Sequence, residues 1–149
     1  MNTKPNAVFL LLLLLISCKK DTPPSPTRAQ LLSDKSWLLS SSTLYAQNAP
    51  DVDAYSSLPS CIKDNTIEFA SNGDYLYDEG PTKCKVMDAQ TQYGSWVLSA
   101  DETQIIVTFN GSKKSYVIQE FTNQVLRLRF SFASTNGFTL MQDNTYKLK

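Results

Sequence analysis

The sequence predicts an all-β domain: an eight-stranded antiparallel up-and-down barrel preceded by a short helix. Three observations carry that prediction. Eight runs downstream of residue 35 have strand character, most of them alternating apolar and polar residues, so each has one covered side. Turn signals separate them, Asn72-Gly73, Asn110-Gly111 and Asn136-Gly137 being the strongest, and hairpin connections make neighbours antiparallel. No long amphipathic helix follows to cover an open sheet, so closure of the strands on themselves buries the apolar face and removes the edges. A two-sheet sandwich of the same strands is the alternative.

In chain order, Lys4 precedes an unbroken apolar run, Ala7 to Ile16. Ten residues are too few to cross a bilayer, which takes about 20, but they suit the core of a signal peptide, here residues 1–17. Leu15-Ile16-Ser17-Cys18 resembles the lipobox of bacterial lipoproteins. That resemblance implies cleavage before Cys18, lipidation of its thiol with palmitate among the acyl chains, and an outer-membrane address facing the periplasm or the cell surface. Residues 18–27 form a tether in which Pro23, Pro24 and Pro26 favour extended chain. Its start, Lys19-Lys20-Asp21, is similar to that of many Bacteroidetes lipoproteins, some of them surface-exposed; a plain solubilising spacer is the alternative. The barrel domain is expected over residues 28–149.

Thr27 and Gln30 fit a capping box opening a helix through about Asp34. The first strand places Trp37, Leu39, Ser41, Thr43 and Tyr45 on one face. A long irregular segment, 46–64, follows. Thr66–Phe69 and Tyr75–Tyr77 form a hairpin around Asn72-Gly73, with Ile67 and Phe69 sharing a face. A second irregular stretch covers 80–92. The remaining strands are Tyr93–Leu98, Gln104–Phe109 (Ile105, Val107 and Phe109 on one face), Ser115–Phe121, Val125–Phe132 (Leu126, Leu128, Phe130 and Phe132 opposite Arg127 and Arg129) and Phe138–Leu148, with a bulge expected near Asp143-Asn144.

Composition narrows function. Fourteen basic residues balance fourteen acidic ones, so nothing draws the chain to nucleic acid or an anionic surface. Removing residues 1–17 takes Lys4 and no acid, leaving the mature side chains at −1. The membrane is then met only through the lipid. Histidine is absent, which removes the commonest general base and the commonest metal ligand. No phosphate-cradling glycine loop is present. Asp51, Asp53, Asp78 and Glu79 offer oxygens without the spacing of a calcium loop. A non-catalytic monomer without metal or cofactor is expected. With Cys18 committed to lipid, Cys61 and Cys84 remain as a pair in an oxidising space, where a disulfide is expected, worth about 3.5 kcal/mol; two buried free thiols are the alternative.

From the lipobox, Lys35-Ser36-Trp37, the run from Cys61 through Asp64-Asn65-Thr66, Asn72-Gly73 and Asp78-Glu79-Gly80 to Cys84, and Gly94-Ser95-Trp96, the chain resembles the lipocalin-like lipoproteins of Bacteroidetes, calycin-type barrels. Lys35 stands where typical lipocalins have the glycine of Gly-x-Trp. The resemblance also implies an arginine packed over Trp37, for which Arg129 is the candidate; otherwise Arg127 and Arg129 read as ordinary outer-face charges. In a meander the two long loops emerge at one end, so the cysteine pair would tie them at the mouth. Tyr45, Tyr55, Leu58, Tyr93, Trp96, Phe109 and Tyr116 are the candidate ligand-binding residues there, suited to a small, mostly apolar ligand. The alternative is a barrel filled by its own side chains, including Trp37, Phe69 and Phe130, whose loops meet a protein or polysaccharide at the envelope.

Overall fold

Strand begins where the alternation begins. The computed structural model describes residues 24–46 and 48–149; the signal segment 1–17, Cys18 and the start of the tether lie outside them. A short helix, α1 (Arg28–Leu32), is followed by β1 (Ser36–Ala46), β2 (Val52–Asp53), α2 (Ser60–Lys63), β3 (Thr66–Phe69), β4 (Asp74–Asp78), β5 (Thr91–Leu98), β6 (Gln104–Phe109), β7 (Ser112–Phe121), β8 (Val125–Ala133) and β9 (Thr139–Leu148). Every ladder is antiparallel and joins sequence neighbours from β3 to β9. β1 pairs with both β3 and β9, which closes eight strands into a barrel. β2 is an accessory edge on β1, at Thr43↔Asp53 and Leu44↔Val52. Asn110 and Gly111 both take positive φ, +49° and +73°, the backbone a two-residue hairpin turn requires.

The floor of the barrel is filled. The Thr27 side chain accepts from the Gln30 backbone N–H, and the Gln30 side chain accepts from the Thr27 N–H, so the expected capping box is present. It orients α1 to press Leu32, 1 % exposed, onto the core. Trp37, Phe69, Ile105 and Leu126 are buried there, with Leu128 and Trp96 beside them. Trp37 Nε1 donates to Leu32 O at 3.4 Å. Arg28 Nη1 donates to Glu102 O and, just past the helix, Asp34 Oδ1 accepts from Ser71 N, so α1 and the residues that follow it are bonded to two of the turns at this end.

Three expectations need correction. The segment 46–64 is not wholly irregular: it holds β2 and α2, too short to carry a periodic signal. The bulge expected near Asp143-Asn144 is absent, and β9 runs unbroken against β8. Register shifts occur instead on β1, between Leu39 and Ser41, and on β7, between Ile118 and Glu120. The first changes faces. Trp37 and Leu39 point in below the bulge, and beyond it Ser42 does, buried against Asn144. Ser41, Thr43 and Tyr45 therefore do not share the face of Trp37. Serine 40 to 42 is a run with no apolar contrast, so periodicity could not reveal the shift.

A candidate binding site at the mouth of the barrel

The hairpin register decides what lines the upper half. Phe69 pairs with Tyr75 and Ile67 with Tyr77, and directly opposed residues share a face, so both tyrosines turn inward. Ile105 pairs with Tyr116, which turns inward likewise. Tyr146 joins them from β9, packed against the core. Above the filled floor these side chains enclose two cavities. One, about 240 Å³, lies among Tyr75, Val107, Phe109, Lys114 and Tyr116. The other, about 220 Å³, is bounded by Leu39, Ile62, Asn65, Asn144 and Tyr146 together with Tyr75, Tyr77 and Tyr116. Tyr75 and Tyr116 are the partition between them. Edge-on ring contacts brace the walls, Tyr75–Phe109 at 5.4 Å and Tyr116–Phe130 at 5.6 Å between centroids.

The lining is amphipathic. Asn65, oriented so that both amide atoms are satisfied, accepts from the Tyr77 hydroxyl and donates to Glu79 O at 2.6 Å and Cys61 O at 2.8 Å. Ser42 Oγ donates to Asn144 Oδ1 at 2.8 Å and accepts from Gln142 Nε2 at 2.8 Å, and Asn144 Nδ2 donates to the Tyr146 hydroxyl at 3.4 Å. The Tyr75 and Tyr116 hydroxyls have no hydrogen-bond partner among the described residues, and neither is sealed off from the cavities. Burial pushes all four phenols above their ordinary value; neighbouring tyrosines add to this at Tyr75 and Tyr146, and the Glu79 and Asp64 carboxylates at Tyr77. At neutral pH all four phenols are therefore uncharged, and Lys114 brings a positive charge to the lining of the first cavity.

The rim is pinned. Cys61 of α2 is disulfide-bonded to Cys84, joining the β2–β3 and β4–β5 connections. Beside it Gly80, at φ +67°, lies so close to Asp64 that a Cβ would sit 2.4 Å from the Asp64 carbonyl oxygen. Asp64 Oδ2 accepts from Thr82 N at 2.9 Å, a further bond between the two connections. Partial burial would raise the Asp78 carboxyl, but bonds from Gly80 N, Thr91 and Gln90 outweigh it and hold the group below the ordinary carboxylate value.

Of the residues expected at the site, Phe109 and Tyr116 line these cavities. Tyr55 and Leu58 lie in the β2–α2 connection outside them, with Lys63 Nζ 5.1 Å from the Tyr55 ring centroid. Trp96 is a floor residue, 6 % exposed, its Nε1 bonded to Ala70 O. Tyr93 faces outward at 68 % exposure, because Trp96 three positions on fixes the opposite parity inward. Tyr45 also faces outward, beyond the β1 bulge, with the Arg129 guanidinium 5.0 Å from its ring centroid. Arg129 does not reach Trp37. It forms a two-pronged bond with Asp143, at 2.6 and 2.8 Å, across the outer face. Trp37 instead meets Phe121, and Arg28 lies over that ring. Tyr75, Tyr77, Tyr146, Asn65 and Asn144 were not anticipated. For Tyr75 and Tyr77 the signal existed: the Asn72-Gly73 turn implies the register that aligns them with Phe69 and Ile67.

No protein-family model matches the chain, and no curated protein matches it. Among solved structures it is similar to a deswapped triple mutant of bovine odorant binding protein, at 10 % identity and a TM-score of 0.42, covering 78 % of this chain and 73 % of that one. It is also similar to bovine odorant binding protein in complex with a selenium-containing odorant, at 9 % identity and a TM-score of 0.43, covering 86 % of this chain and 76 % of that one.

Proposed function

We propose that this chain is a lipid-anchored, lipocalin-like barrel of the cell envelope that holds a small, mostly apolar, ring-bearing ligand at its mouth and performs no catalysis. The observation that carries the reading is the pair of tyrosine-walled cavities above a filled floor, with two unpartnered hydroxyls, those of Tyr75 and Tyr116, at their partition. Rings supply apolar surface at roughly 25 cal/mol per Å² buried, and the free hydroxyls select a ligand carrying one or two polar atoms. The lipobox ending at Cys18 and the proline-bearing tether support an outer-membrane anchor, facing the periplasm or the cell surface, with the barrel held off the bilayer.

Native mass spectrometry of the protein purified from its host tests the reading. A bound small molecule is expected, weakened by Tyr75→Phe combined with Tyr116→Phe while the folded mass and melting point stay close to wild type. A clean apo mass, with no thermal shift across a panel of aromatic and lipid ligands, sinks it. Labelling with radioactive palmitate, lost in Cys18→Ser, tests the anchor. A second reading has its own support: each cavity is smaller than the roughly 300 Å³ at which ligand pockets usually begin. A largely filled barrel whose pinned loops engage a protein or polysaccharide predicts instead a stoichiometric macromolecular partner in envelope pull-downs.

A further inference from the structure

The barrel wall is not continuous. The β7–β8 ladder begins at Phe121↔Leu126 and stops at Val117↔Arg129. Above that point β7 still pairs with β6 as far as Ser112, and β8 still pairs with β9 as far as Ala133. Residues 112–116 and 130–133 therefore part and leave two unladdered edges facing each other. A slot of about 600 Å³ occupies the gap, more than twice either mouth cavity. Its lining shows that the wall is open there: Lys113, Ser115 and Met141 have outer-face parity, whereas Lys114, Phe130 and Phe132 have inner-face parity, and one groove collects both.

The chemistry of the slot is uneven in a specific way. Val117, Phe132 and Met141 are large apolar side chains left 37–40 % exposed, and all three lie along it. Phe130 stacks beside Phe132 at 5.7 Å, which extends the apolar strip inward. Among the described residues, Lys113, Lys114 and Arg129 supply the only charges on the lining. Among the described residues no carboxylate lines the slot. The nearest on the paired strand, Asp143, is buried beneath Arg129 and occupied by its two bonds. Neither lysine has an ion-pair partner among the described residues. An exposed apolar strip beside unneutralised cations is complementary to a molecule with an apolar body and an anionic head.

We propose that this lateral slot is a binding site for an amphipathic anion, such as a carboxylate or phosphate ester with a single apolar chain. The chain lies along Phe130, Phe132 and Met141, and the head meets Lys113 and Lys114. The slot adjoins the mouth through Lys114, which lines both it and the first mouth cavity, but Lys113, Phe132 and Met141 line neither mouth cavity. Binding there would also cover the two open edges, which otherwise present unladdered backbone.

Hydrogen exchange on the full chain in phosphatidylcholine nanodiscs tests the proposal, with decanoate as probe and decanol as its uncharged control. Decanoate is expected to slow amide exchange in residues 112–116 and 130–133, and decanol to do so at least ~tenfold more weakly. Lys113→Glu and Phe132→Ser, both at exposed positions where folding should survive, are each expected to weaken decanoate protection by about tenfold. Repeating the measurement in phosphatidylglycerol nanodiscs without decanoate identifies the source of the anion: protection there means a membrane phospholipid, and protection only with decanoate means a free amphiphile. Equal protection by decanol, wild-type protection in both variants, or protection confined to other segments overturns the proposal. Since neither variant touches a mouth-lining residue, such a failure leaves the mouth reading to its own test.

Discussion

Asp143 illustrates how far a single residue can depart from its appearance in sequence. Flanked by Gln142 and Asn144 it reads as part of a bulge in the last strand. In the barrel it is 3 % exposed on the outer wall, opposite Arg129, with the Tyr45 ring against the same guanidinium. A carboxylate so shielded is tolerated because both its oxygens accept charged hydrogen bonds. Asp143→Asn keeps the shape but removes the charge and turns one acceptor into a donor facing Arg129. The expected cost is about 2 kcal/mol in urea unfolding; a change within the roughly 0.5 kcal/mol of an ordinary surface substitution would show that the pair contributes nothing. Sequence placed Arg129 on the outer face correctly. It missed the pair because cross-strand partners depend on register, and Arg129 and Asp143 lie on different strands of the last hairpin.

At the scale of elements, short-range chemistry was readable and length was not. Thr27 and Gln30 announced α1, and the Asn-Gly pairs announced their hairpins, because each is a local backbone requirement. β2 and α2 were invisible: two and four residues hold no period, and they persist through bonds to the rest of the fold, such as Ala54 N and Tyr55 N to Ser42 O. The disulfide joins α2 to the β4–β5 connection and spans a sequence separation of 23. Replacing both Cys61 and Cys84 by Ser is expected to lower stability by about 3.5 kcal/mol on the chain-entropy account. Faster amide exchange should appear first in residues 60–65 and 79–90. Unchanged melting with and without reductant would mean that Gly80 packed on Asp64 and the Thr82–Asp64 bond hold the rim unaided.

The whole molecule sets the protonation behaviour of the mouth. Tyr75, Tyr77, Tyr116 and Tyr146 come from three strands, β4, β7 and β9, and burial raises each phenol above its ordinary value of 10. A group whose folded value lies above its unfolded one supports the fold fully below the unfolded value, and that support is lost as pH rises toward the folded one. Stability should therefore hold through neutral pH and decline above pH 10, with Tyr75 and Tyr146, the most strongly raised, ionising only as the chain unfolds. Tyrosine absorbance followed with circular dichroism checks this. Tyr146→Phe should blunt the alkaline loss, and ionisation of all tyrosines ahead of unfolding would contradict the enclosed mouth.

The sequence by itself determined the barrel. Alternation and turn chemistry act between near neighbours, and eight half-covered strands without a covering helix have few ways to bury their faces. It also identified the cysteine pair and the end of the barrel at which it lies. Only the tertiary structure decided what the mouth is made of. A one-residue bulge at Ser40 turned Tyr45 outward and Ser42 inward, and hairpin register turned Tyr75 and Tyr77 inward beside Tyr116 and Tyr146. The slot between β7 and β8 likewise follows from where a ladder ends. Each of these outcomes depends on pairing between residues far apart in the chain, for which a serine run or an isolated tyrosine carries no local signal.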